Sequence, residues 1–315
     1  MTFRWKLSLL AIVALGVTAA FLTVNAGGNW DYILPRRGSK VISILLTGAA
    51  IAYSTILFQT ITNNRILTPS IIGLDALYML IQTTVIFLLG SKSALSANVN
   101  MNFVITVGLM SLFALLLFKF LFKSERRNLY FLLLFGIILG TFFGSFTTFM
   151  EVLIDPNEYA ILQSRSFASF NNVNSKLLLI SVISSILIGL YSLRFLKYLD
   201  VISLGREHAV NLGVPYEYVV KRLLIIIAVL VSIATALVGP VTFLGLLVAN
   251  LSYQFMKTHR HRYLIPGSIL ISVIALVGGQ LIMERIFSFS TPLAVIINFV
   301  GGVYFLYLLL RENKS

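Results

Sequence analysis

The chain has no cysteine. Disulfides, thiolate metal sites and cysteine nucleophiles are therefore excluded, and the compartment stays undecided. Charge is scarce as well: 11% of the 315 residues are charged, against about 25% in soluble globular domains. No G-x-x-x-x-G-K-[ST] occurs, so the chain has no P-loop of its own for ATP. No acid/base or metal cluster gathers on one side of the sequence, which leaves an integral-membrane enzyme as a weak reading.

What abounds is hydrocarbon. The chain is 58% hydrophobic with a mean hydropathy of +0.94, and apolar runs long enough to cross about 30 Å of bilayer as helix recur along its length. Backbone groups facing lipid must pair within their own segment, so such runs predict helices. The short alternating segments of a membrane barrel are missing. The expected fold is therefore an all-α polytopic membrane protein of about ten transmembrane helices, near residues 7–24, 41–60, 71–90, 102–122, 129–150, 176–196, 222–238, 241–256, 264–283 and 293–310.

The formal charge of +13 would suggest nucleic acid in a soluble protein. Ten spans put both termini on one side. If that side is the cytoplasm, 17 of the 24 Lys and Arg are cytoplasmic and seven (Arg36, Arg37, Lys40, Lys92, Arg165, Lys176 and Arg285) lie outside. The positive-inside rule accounts for this bias, and no nucleic-acid partner is needed. Residues 1–26 have the outline of a signal peptide, with Arg4, Lys6 and a Val24-Asn25-Ala26 tail. The apolar stretch is longer than a usual signal core, which favours a retained first helix.

Polar groups within spans are expensive and so informative. Asp75 is the one carboxylate well inside a predicted span, with Gln59 and Gln82 nearby in sequence. It suits a structural hydrogen-bond partner or, alternatively, the proton relay of a proton-coupled secondary transporter. Gly48 and Ala52, and Gly136, Gly140 and Gly144, recur at four-residue spacing, which lets helix backbones approach, either for packing or beside a translocation path. His259 and His261 in "KTHRHRY" are expected to belong to a basic membrane-boundary anchor rather than a metal pair. Glu151, Asp155 and Glu158 are expected on a solvated outer loop.

The segment "SLGREHAVNLGVPY", residues 203–216, interrupts the apolar chain with a polar stretch. Ser203 is a candidate N-cap, Leu204, Ala209 and Leu212 a partial apolar face, and Gly213 a C-cap. Pro215 opens a second short helix leading into span seven. Two short helices with a sharp turn are predicted on the cytoplasmic side, within a loop of about 198–221. They suit either a lipid-surface helix or an element pushed by a partner.

At this segment the chain resembles the permease family of ABC importers for iron–siderophore chelates, haem and cobalamin (FecCD-type). The family's L-G-x-x-x-A-x-x-L-G-V is matched in register by Leu204, Gly205, Ala209, Leu212, Gly213 and Val214. Gly48, Ala52, Gln59, Asn64, Leu67, Pro69 and Gly73 match a second pattern, with Arg65 where the family has proline. Gly239, Phe243, Gly245 and Leu246 match a third, with Ala249 and Asn250 replacing Pro-His. Pro292 and "GGVYFLYLLLR" are similar to the family's last segment.

The resemblance implies one permease domain over residues 1–315 in the cell membrane, most closely of the ferric-siderophore branch, with cobalamin and haem as alternative cargoes. It implies that residues 204–214, with Arg206 and Glu207, form coupling helices docking on a cytoplasmic ATPase. The family's external arginines correspond to Arg36 and Arg285, with Arg37 added and Ile33 where an earlier arginine would stand. These would receive acidic residues of an extracytoplasmic binding protein, for which an arginine fork is suited. Partners implied are a second permease, identical or homologous, two ATPase subunits and that binding protein. ATP and Mg would sit on the ATPase, with no cofactor on this chain and no catalysis by it.

Overall fold

A computed structural model describes residues 3–24, 30–121, 129–171, 173–288 and 291–312. Every regular element among them is a helix. In chain order these are α1 (Phe3–Thr23), α2 (Trp30–Thr62), α3 (Leu74–Leu89), α4 (Ala94–Ala97), α5 (Val99–Leu121), α6 (Leu129–Leu153), α7 (Pro156–Arg165), α8 (Ser175–Ser192), α9 (Leu196–Ile202), α10 (Arg206–Asn211), α11 (Tyr216–Val238), α12 (Leu244–Met256), α13 (His261–Arg285) and α14 (Leu293–Glu312). Single 3₁₀ turns at Pro69–Ile72 and Leu193–Phe195 join α2 to α3 and α8 to α9.

Among the described residues, helix occupies most of each predicted span. Seven helices among the described residues are long and apolar enough to cross a membrane, and three more, Leu74–Leu89, Leu244–Met256 and Leu293–Tyr307, are apolar but shorter. The second span differs most from expectation. α2 begins at Trp30 rather than near 41 and runs 33 residues with Pro35 inside it. At 1.5 Å per residue it is about 50 Å long, so its first turns extend past a 30 Å hydrocarbon layer. Pro35 lies past the first turn and has no N–H, so the intrahelical bond to the Asp31 carbonyl is missing there.

α2 is the central pillar, packed against α1, α8, α9, α11, α12 and α13. Ile44, Ala52, Ile56, Leu57 and Phe58 are completely buried on it. α11 is the second buried helix, against α2, α5 and α8. Helices apolar all round are the ones a membrane bundle places at its centre. α6 and α8 instead turn Phe142, Phe146, Phe149, Ile183, Leu187 and Leu190 outward. Lipid tails are as apolar as these side chains, so the exposure carries no penalty in a bilayer.

Close backbone approach explains the small-residue spacing. A Cβ on Gly48 would stand 2.8 Å from Ser272 Oγ of α13, and one on Gly136 2.8 Å from Ile72 Cα. Gly140 lies against Gly73, whose φ of +86° makes the turn into α3. A Cβ on Gly144 would meet nothing within 4 Å. Two of the three α6 glycines are thus packing residues and the third is not.

The bundle has two chemically distinct ends. At one, Lys6 donates to the carbonyl of Phe255 and Phe3 packs on Tyr263, so α1, α12 and α13 meet. At the other, Arg37 donates to the α1 carbonyls of Phe21 and Leu22 and to that of Val24, and Lys40 pairs with Glu284 at 2.9 Å. The basic 123–127 stretch, Asn25, Ala26 and Lys314 lie outside the described residues.

Candidate coupling and docking sites

The 203–216 segment sits at the Lys6 end. α10 is a six-residue helix whose start and stop are both made by glycine. Gly205 precedes it at φ +98° and Gly213 follows at φ +79°. The amide of Val214 donates to the Ala209 carbonyl at 3.0 Å and that of Gly213 to Val210 at 2.9 Å. This 6→1 and 5→2 pair is a Schellman motif, which satisfies carbonyls the short helix leaves open. Gly213 therefore ends the helix as the sequence suggests, one position beyond the cap residue Leu212.

Three expectations are corrected here. Ser203 does not cap α10: its hydroxyl donates back to the Asp200 carbonyl, and Gly205 occupies the cap position. Leu204, Ala209 and Leu212 do not share one face. Ala209 is fully buried, while Leu204 and Leu212 are 55% and 65% exposed, together with Val210. The second short helix predicted after Pro215 is the first turn of α11, which continues unbroken to Val238. Nothing in 216–222 supplies a stop, so the helical bonds run on. The short pair that does form is α9 and α10.

The result is a rigid corner. Ala209 and Val214 are buried against the bundle while Leu204, Val210 and Leu212 point away from it. Arg206 and Glu207 are exposed, and Arg206 reaches Glu217 at 3.4 Å. Exposed apolar side chains on a capped, polar corner are what a docking element presents. Gly205 lies beside Asn63, at the end of α2.

Sequence reasoning missed the residues that tie this corner inward. His261 is buried rather than part of a surface anchor. Its ring lies 2.6 Å from Asp200 and 2.6 Å from the Thr60 hydroxyl. His259 faces elsewhere, accepting from Arg65 at 3.2 Å, so the two histidines do not converge. Pairs 61 and 201 residues apart leave no local signature.

At the opposite end, Arg37 and Arg285 converge on one acceptor. Both donate to the Val24 carbonyl, at 2.9 and 2.7 Å. Arg37 is half-buried, whereas Arg36 and Arg285 are exposed. Arg36, Arg37 and Lys40 line a cavity of about 500 Å³ with Ile33, Phe170 and Asn171. Arg165, counted with the outer charges, is partly buried instead, donating to Gln82 at 2.8 Å and to Ser96. Desolvation lowers its pKa, offset by nearby Tyr78 and Glu158.

Asp75 stands in the first turn of α3 and accepts from Thr242 at 3.1 Å. α3 and α12 are both short helices, and Asp75 and Thr242 bring their N-terminal ends together. The positive ends of two helix dipoles favour a carboxylate there. Gly48, Ala52 and Gln59 face the protein interior: Gln59 donates to the Arg65 carbonyl at 2.6 Å, and Gly48 meets α13.

An all-helical bundle of this span content is that of a polytopic membrane protein. Residues 4–311 match the model of the FecCD transport family, and the chain belongs to that family. It is 59% identical over 312 residues, 99% of each chain, to the petrobactin import system permease protein YclO of Bacillus subtilis strain 168. It is 35% identical over 98% of its length, and 90% of the relative's, to the petrobactin import system permease protein FatC of Bacillus anthracis. A solved structure described as an inward-facing metal-chelate type ABC transporter shares the fold, with a TM-score of 0.83 at 20% identity, covering 98% of this chain and 99% of that one.

Proposed function

We propose that this chain is the permease subunit of an ATP-driven ABC importer of ferric siderophores, with ferric petrobactin as its cargo. The observation that carries the reading is the full-length 59% identity to a petrobactin import permease. Haem and cobalamin are the weaker cargoes, because both relatives described above are named for petrobactin.

The chain crosses the membrane ten times, the three shorter apolar helices completing the seven long ones, and both termini are cytoplasmic. The density of Lys and Arg at the α10 end supports this orientation. A second permease, identical or homologous, completes the translocation path between the two halves. Two cytoplasmic ATPase subunits hold ATP and Mg and seat the Leu204–Val214 corner in a cleft. An extracytoplasmic binding protein docks at Arg36, Arg37 and Arg285 beside the basic cavity. Docking and nucleotide each bias an inward/outward equilibrium by their differential affinity for its two states. No chemistry on the chelate is required of this chain.

The test is uptake of radiolabelled iron by cells with and without the gene, supplied as petrobactin, hydroxamate and citrate chelates, with haem and cobalamin in parallel. Selective loss of petrobactin uptake is expected. Loss of another cargo alone would overturn the substrate and leave the importer reading standing.

A further inference from the structure

Three side chains from distant parts of the sequence form one hydrogen-bonded chain between the α9–α10 corner and the bundle. Asp200 lies in the last turn of α9, His261 is the first residue of α13, and Thr60 is in the last turn of α2. Asp200 Oδ1 accepts from the backbone amide of His261 at 2.9 Å and from its ring Nδ1 at 2.6 Å. A carboxylate only accepts, so Nδ1 carries the proton and the ring is held in one orientation. Nε2 of the neutral ring then accepts from the Thr60 hydroxyl at 2.6 Å. That hydroxyl also lies 2.8 Å from the Ile56 carbonyl, so its single proton has two acceptors within reach.

The placement matters more than the bonds alone. α10 packs on α9 and α11; α11 packs directly on α2, and α9 packs on both α2 and α13. A push on the exposed Leu204, Val210 and Leu212 therefore reaches the central pillar through α9 as well as α11, and α9 is the one of the two that also packs on α13. The apolar contacts along that route can slide. Short, directional hydrogen bonds lose strength steeply when displaced or bent, so they hold register. The chain also crosses the boundary between corner and core: the Asp200 side chain is 52% exposed and that of His261 4%.

We propose that Asp200, His261 and Thr60 are positioning residues that transmit displacement of the α9–α10 corner to the adjoining ends of α2 and α13. This rests on the reading of Leu204–Val214 as the ATPase-docking element. Cargo moves when α2 and α13 follow the corner, and ATP is spent without transport when they do not.

The experiment uses the complete transporter, permeases with ATPases, in proteoliposomes with its binding protein and ferric petrobactin as probe. It reads chelate accumulated per ATP hydrolysed. Asp200→Ala and Thr60→Val should retain the ATPase and its hydrolysis while the ratio falls about 5-fold or more, within the range of coupling-network substitutions. Thr60→Ser should stay close to the parent, since it keeps the hydroxyl. The double variant Asp200→Ala/Thr60→Val should be no worse than the poorer single, because both break one chain.

An unchanged ratio in the single variants overturns the proposal. So does a loss of ATPase with an unchanged ratio in the complexes that remain, which would make the three residues simple anchors. Equal loss in Thr60→Ser and Thr60→Val points to packing and also overturns it. Leu212→Asp, run alongside, tests the underlying reading separately. If it neither weakens ATPase capture nor lowers the ratio, the docking assignment falls and the proposal falls with it.

Discussion

Asn250 holds Arg65: its side-chain Nδ2 donates to the Arg65 backbone carbonyl at 2.9 Å. Gln59 donates to the same carbonyl, and the Arg65 guanidinium lies over Tyr253, 4.7 Å from the ring centroid. Two of the positions where this chain departs from its family's pattern, arginine for proline and asparagine for histidine, are thus in contact. The bond is to the backbone, and it ties α12 to the connector after α2. Asn250→Ala should cost about 1–2 kcal/mol, the usual effect of removing a partner from a buried hydrogen bond. The check is the thermal midpoint of the solubilised protein, expected to drop while Asn250→His retains more of it.

The corner at 204–214 makes a second prediction. Leu212 is exposed and supports no packing, so Leu212→Asp should leave the fold intact yet abolish co-purification of the ATPase. Gly213→Ala places a side chain at φ +79° and should destabilise the corner by about 1 kcal/mol. Gly213→Pro should uncouple ATP hydrolysis from uptake. Unaltered transport in all three would remove the coupling role.

The α6 glycines separate cleanly. Gly136→Val must displace the backbone of Ile71 and Ile72, 2.9 and 2.8 Å from the new Cβ, and should cost about 1–3 kcal/mol as an overpacked contact. Gly144→Ala meets open space and should leave both yield and melting behaviour unchanged.

Asp75 discriminates between energy sources. With Thr242 as a donor and two helix N-termini beside it, Asp75→Asn keeps an acceptor in place. Uptake should stay within about 2-fold of the parent, as expected of a structural hydrogen bond. Abolished uptake with ATPase activity intact would instead favour proton coupling.

Arg285 and Arg37 share an acceptor but differ in burial. Arg285→Glu should weaken binding-protein affinity about 10-fold or more, as reversing one charge of an exposed fork does, with little change in melting temperature. Arg37→Ala, which removes donors from the end of α1, should lower the melting temperature as well. Equal affinity in Arg285→Glu would end the docking assignment.

Much of this was legible from the chain because each signal is local. Long apolar runs announce helices, since lipid forbids unpaired backbone. Gly213 announces the end of a short helix because only glycine enters positive φ freely, whereas the start at Gly205 in place of Ser203 emerged only in the structure. Span two is longer than its apolar run because Pro35 and the Arg36–Lys40 charges mask helix that leaves the hydrocarbon layer. The His259–His261 pair resembles a surface anchor in the sequence because burial of one histidine depends on partners far along the chain.

The sequence by itself determined that this is a helical membrane protein and where the chain turns polar. Both follow from transfer free energies and backbone sterics that act over a few residues. Only the tertiary structure decided that Asp200, His261 and Thr60 form one chain, that Asn250 bonds the Arg65 carbonyl, and that Arg37 and Arg285 meet on Val24. Hydrogen bonds are short and directional, so such meetings depend on the packing of whole helices, which no local pattern records.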